Sequence, residues 1–169
     1  MPMIKSFSLV STGVGAAIAF ALIASASAQN APANGAAGPS PAKIAIESRK
    51  AAYTLIANNF RWFGAVAKGS APYDDAEALK RAQRIAFLSA LPVENFPEGS
   101  NIGEPESKAK PDVWSNRADF DKKQHEFQEH AAALAEVVAK EKGATEPLKA
   151  AVAALGQDCK GCHDTYKVK

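Results

Sequence analysis

Apolar residues recur at helical spacing in four stretches of the chain, and nowhere do they alternate as a half-buried strand would. The first stretch, 41–68, carries Ile46, Arg49, Tyr53, Ile56, Phe60 and Phe63 at steps of three and four. That is the seam of an amphipathic helix, and Gly69 closes it. Pro72 then breaks the chain. Asp74 or Asp75 caps a second helix predicted to run to Leu91, where Pro92 stops it. Residues 92–114 hold Pro92, Pro97, Pro105 and Pro111 with Gly99 and Gly103, and read as a long loop. Ser115 is the predicted cap of a third helix to Lys142, with the stripe Phe120, Gln124, Phe127, Ala131, Leu134 and Val138, ended by Gly143. Thr145 caps the fourth, with Pro147 in its first turn and the stripe Leu148, Val152, Leu155, Cys159, Cys162 and Tyr166. Two short connections and one long one, between helices 2 and 3, predict an all-α, antiparallel four-helix bundle. A less regular all-α arrangement has the same periodicity.

The ends change the picture of what folds. Lys5 is followed by an uncharged, apolar run from Phe7 to Ile23, and Ala26, Ser27 and Ala28 form an A-x-A site. Residues 1–28 therefore read as a cleaved secretory signal, and the expected compartment is the periplasm. The rival, a membrane anchor, fits poorly because the run is short and diluted by Gly and Ser. Residues 29–42 are a Pro/Ala/Gly linker that has little to bury and is expected to be disordered. The bundle is then 43–169. With 47% hydrophobic and 22% charged residues the chain can bury a real core. A net charge of +2 gives no electrostatic support to nucleic-acid binding.

Arg49 and Tyr53 interrupt the first stripe, and Gln124 the third. A buried Arg without a partner is costly. Either these side chains reach the bundle ends and snorkel to water, or the bundle encloses something with an anionic edge.

The only two cysteines lie in Cys159, Lys160, Gly161, Cys162, His163, a C-x-x-C-H run. Cysteines three apart on a helix share one face, so both thiols can reach two vinyl groups of one porphyrin. His163 then supplies an axial nitrogen to the iron. A redox dithiol would want a βαβ setting and a helix N-terminus. Zinc would want about four ligands. A disulfide across so short a loop gains little. One covalent haem c is the expected cofactor, and its propionates give Arg49 a natural bidentate partner. Gln124 is expected to pack on the ring edge with one hydrogen bond.

The two methionines, Met1 and Met3, leave with the signal, so the mature chain has no thioether to act as a sixth ligand. His125 and His130 fall off the third stripe and are expected at the solvated surface. Five-coordinate iron follows, with Tyr53 the best candidate to fill the distal side.

These features together resemble cytochrome c′ over 43–169. The likeness rests on Arg49, Lys50 and Tyr53; Gly69, Ala71, Pro72 and Tyr73; Ala90, Leu91 and Pro92; Lys108, Ala109, Lys110, Pro111, Val113 and Trp114; Phe120, Gln124 and Phe127; and the C-x-x-C-H run. The resemblance implies a high-spin, five-coordinate haem with His163 as proximal ligand and Arg49, Lys50, Tyr53 and Gln124 around the cofactor. Phe96 and Trp114 would wall the haem edge. Lys167 stands where family members often carry a basic residue near the proximal face. It also implies a soluble homodimer, pairing through helices 1 and 2, that binds NO and CO; Ala57, Ala65 and Ala67 would permit close approach. An unidentified redox partner belongs to the alternative, in which the protein is mainly an electron carrier. A C-x-x-C thiol oxidoreductase is the reading from another class. Neither of the first two readings is an enzyme in the strict sense; the sequence places no activated Ser or paired catalytic carboxylates together, and no enzymatic turnover is expected.

Overall fold

In a computed structural model the described residues are 38–101 and 107–169. The predicted signal at 1–28, residues 29–37 of the linker and Pro105 lie outside them. Five α-helices are present among the described residues: α1, Pro41–Ala67; α2, Asp75–Ser89; α3, Asp112–Ser115; α4, Arg117–Lys140; and α5, Glu146–Tyr166. A single 3-10 turn, Val93–Asn95, follows α2. The one strand-like feature among these residues is an isolated antiparallel bridge between Ala109 and Lys167.

Local chemistry sets the ends. Ser40 accepts from the Lys43 amide at 3.1 Å and Pro41 opens α1. This start takes in Pro41 and Ala42, ahead of the boundary drawn at 43. Asp74, rather than Asp75, is the cap of α2, accepting from the Glu77 amide at 2.7 Å. Thr145 caps α5 as predicted, accepting from the Leu148 amide at 3.4 Å. Gly69 (φ 72°) and Gly143 (φ 89°) turn the chain after α1 and α4 in the left-handed region.

Three boundaries differ from the sequence reading. The second helix stops at Ser89 rather than Leu91, with Leu91 in the turn after it. The third stops at Lys140 rather than Lys142. Ser115 does not cap it; Ser115 ends the one-turn α3, and Asn116 caps α4 without a side-chain bond. Pro111 and Asp112 start that extra turn, so the predicted loop is partly helical.

Each long helix packs on two others, α1 and α4 both on α2 and α5, which closes a four-helix bundle. The central core joins residues from all four seams, among them Ile56, Phe63, Ile85, Phe127, Leu134 and Leu155. All six predicted seam residues of α4 are buried. On α1 the buried set shifts slightly: Asn59 is buried, its amide donating to the Leu55 carbonyl at 2.8 Å, while Tyr53 and Phe60 are half-buried. A second cluster, Phe96, Val113, Phe120 and Tyr166, lies at the loop end, with Trp114 and Cys162 against it.

Candidate haem-binding site

Cys159 and Cys162 sit three residues apart on α5, half-buried and unbridged. Cys159 packs against the central core and Cys162 against the second cluster, while Tyr53 touches both clusters. The thiols therefore flank the junction of the two apolar regions, where α1 delivers Tyr53 and α4 delivers Gln124. The Gln124 amide donates to the Tyr53 hydroxyl at 2.5 Å. Gln124 is only 2% exposed, and its Oε1 is buried with no hydrogen-bond partner.

The electrostatics separate the competing chemistries. Burial pushes both thiols up, and the neighbouring Cys159 adds to the effect at Cys162, which reaches about 11. A redox-active pair needs the opposite shift. Among the described residues no group of three or more His, Cys, Asp or Glu could hold a metal ion. Burial also raises the Tyr53 phenol well above its ordinary value, the Gln124 bond working weakly against it. The phenol is thus a neutral group at the apolar junction. Neutral thiols on one helical face and an aromatic cover where two apolar regions meet fit a porphyrin held at this junction.

The other expected site residues are spread more widely. His163 follows in the same turn and is exposed, with Lys167 and Asp164 as charged neighbours. Partial burial of its ring and then the charge of Lys167 lower its pKa, favouring the neutral imidazole that can ligate iron. Lys50 is exposed on α1, and Lys167 is exposed at the end of α5. Arg49 is 4% exposed, so it does not snorkel to water. Its guanidinium donates to the Asn95 carbonyl (2.9 Å), the Ser100 hydroxyl (2.7 Å), the Ser100 carbonyl (2.9 Å) and the Ser107 hydroxyl (2.9 Å). It also lies over the Phe96 ring at 4.5 Å. In this arrangement Arg49 ties the long connection to α1, with four N–H groups engaged. Phe96 and Trp114 do lie together, 6.3 Å between centroids, and the Trp114 indole donates to the Pro97 carbonyl at 3.0 Å.

Sequence reasoning missed several partners. Asn95, Ser100 and Ser107 answer Arg49, but nothing in a Pro/Gly-rich loop marks which polar residues turn inward. Tyr166 donates to Asp119 at 2.5 Å; an Asp one position before the Phe120 stripe was the available hint. The expectation for His125 agrees with its exposed pairing to Glu129 at 3.2 Å. His130 does not simply face water: its Nδ1 lies 2.7 Å from Asp158 of α5, beside Cys159. Being off the apolar stripe put it at the α4–α5 seam, where a long side chain reaches across.

The model of the family described as cytochrome c′ matches residues 44–167. Cytochrome c′ of Rubrivivax gelatinosus is 42% identical over 126 residues, covering 74% of this chain and 95% of that protein. The solved cytochrome c prime of Shewanella frigidimarina superposes with a TM-score of 0.71 at 43% identity, over 77% of this chain and 98% of that one. A nitric oxide complex of a leucine-to-alanine variant of cytochrome c prime from Alcaligenes xylosoxidans gives 0.68 at 35% identity, over 76% and 96%.

Proposed function

This chain belongs to the cytochrome c′ family and is a c-type haem protein, and from that premise we propose a periplasmic carrier with one covalent, five-coordinate, high-spin haem that takes up NO or CO and can pass electrons. The carrying observation is Tyr53, held by Gln124 beside the two thiols of α5. When bound, the haem supplies an iron centre for a diatomic ligand and for one-electron exchange. Cys159 and Cys162 would hold the haem through thioethers, and His163 would ligate its iron. Tyr53, a neutral phenol at the junction, would cover the haem and would have to move for a ligand to enter, so that only a small ligand bonding strongly to iron would compete. Arg49 holds the connection carrying Phe96 and Trp114 at the edge of the site, and Gln124 and Lys50 complete the cofactor's surroundings. The nitric oxide complex of the Alcaligenes relative supports the ligand class.

No methionine survives signal cleavage, which supports an open sixth position and favours gas binding over a pure electron carrier. The protein acts as a carrier, not an enzyme. A homodimer through α1 and α2 is part of the proposal, supported by the exposed apolar side chains Ile44, Leu55, Leu79 and Phe87.

The experiment is an absorption spectrum of the ferrous protein with and without CO, with haem staining of a denaturing gel. A five-coordinate spectrum that changes on adding CO, and a stained band, are expected. A low-spin spectrum without added ligand, or an unstained band, would overturn the reading.

A further inference from the structure

We propose that Gln124 is the positioning residue of the distal side: its amide locks the Tyr53 phenol in place, so the lock, and not the bulk of the ring alone, governs ligand entry. This rests on the reading of a haem covered by Tyr53.

The two partners differ in freedom. Gln124 is 2% exposed and stands on the α4 seam between Phe120 (1%) and Phe127 (7%), which confine its side chain. Tyr53 is a half-buried ring on α1 with two apolar regions to lean on, and its hydroxyl has Gln124 as its hydrogen-bond partner. A ring on a helix exchanges rotamers when nothing polar pins it. Swinging Tyr53 away would break the 2.5 Å bond and leave the Gln124 nitrogen unpaired, beside an oxygen that already has no partner. Both ends of a buried amide would then be unsatisfied, an unfavourable state that returns the ring to its place. The open population, and with it the association rate, is lowered by the worth of one hydrogen bond, about fivefold.

The test compares the holoprotein with its Gln124→Met, Tyr53→Phe and doubly substituted forms. Met keeps the volume of Gln124 without the amide, and Phe removes the same bond from the other side, so either variant alone can judge the proposal. Stopped-flow CO association by the ferrous protein should rise about fivefold in each single variant. It should rise no further in the double one, because both changes delete one interaction. In the gas-free ferric protein, the tyrosine bands of the ultraviolet resonance Raman spectrum, assigned by difference from Tyr53→Phe, should move in Gln124→Met to those of an unbonded phenol. Unchanged CO association in Gln124→Met, additive effects in the double variant, or unmoved tyrosine bands would each overturn the lock. A wild-type protein that binds no CO would overturn the gas-binding reading instead, and the Raman bands would then decide the lock by themselves.

Discussion

Between α1, α2, α4 and α5 the central core is closed by side chains such as Phe63, Ala82, Leu134 and Leu155, none of them exposed and all supplied by helical seams. At the other end Phe96 comes from the long connection, Val113 from the one-turn α3, Phe120 from the first turn of α4 and Tyr166 from the last residue of α5. The rings there meet edge to face, Phe96 on Phe120 at 4.8 Å and Phe120 on Tyr166 at 5.2 Å. What holds that end is largely polar. Arg49 grips Asn95, Ser100 and Ser107, and Arg117 donates to the Phe96 carbonyl at 3.2 Å. The Lys110 and Val168 amides donate to the Tyr166 and Lys108 carbonyls, each at 2.9 Å. A seam packs by burying area and tolerates little loss of volume. A site assembled from loop and termini needs directional bonds to stay assembled, because no periodic face positions it. The cysteines lie where the two kinds of construction meet.

The contrast is open to attack in three ways. Phe63→Ala removes the largest wholly buried side chain of the seam core and should cost about 3–5 kcal/mol. The check is the guanidinium midpoint of the holoprotein. A loss under about 1 kcal/mol would mean the seam core is not the tightly packed region. Arg49→Met deletes the clamp while keeping an apolar stem, and should cost about 2–3 kcal/mol. Amide exchange should quicken at 93–101 and stay slow at 131–138. Uniform loss of protection would show that the two ends are one cooperative unit.

The smallest effect is expected from Tyr166→Phe, about 1–2 kcal/mol at neutral pH for one part-buried bond to a carboxylate. It also alters the pH profile. Burial, then the bond to Asp119, raises the Tyr166 pKa above the ordinary value of 10.0, and burial raises Tyr53 likewise. Both phenols stay protonated in the folded chain while unfolded phenols ionise. Their contribution is intact below 10.0 and declines as pH rises above it. Wild-type stability should therefore fall as pH rises above about 10, and Tyr166→Phe should fall less steeply. Equal slopes in the two proteins would remove Tyr166 as a contributor.

Most of the bundle was legible because periodicity is a local property. Each of the six predicted positions on α4 is buried, and the caps Asp74 and Thr145 lie where their side-chain chemistry put them. The misplaced ends, at Leu91, Ser115 and Lys142, lie where α2, α4 and the connection compete for a few residues that carry no apolar period. The C-x-x-C-H run was legible for a similar reason: Cys159 and Cys162 share a face through helical geometry alone. Arg49 and Gln124 were recognisable as polar residues on buried stripes, but their partners were not. Arg49 answers residues 46–58 positions away, and Gln124 answers one 71 positions away.

By itself, then, the sequence determined the four helical faces, their caps and the pairing of two thiols with a histidine, because all of these follow from 3.6-residue spacing and the side chains' own donors and acceptors. Only the tertiary structure decided that Arg49 clamps the long connection, that Asp119 receives the Tyr166 hydroxyl and that Gln124 reaches across from α4 to hold Tyr53. Hydrogen bonds between distant segments depend on which faces meet and at what depth, and no local pattern encodes that.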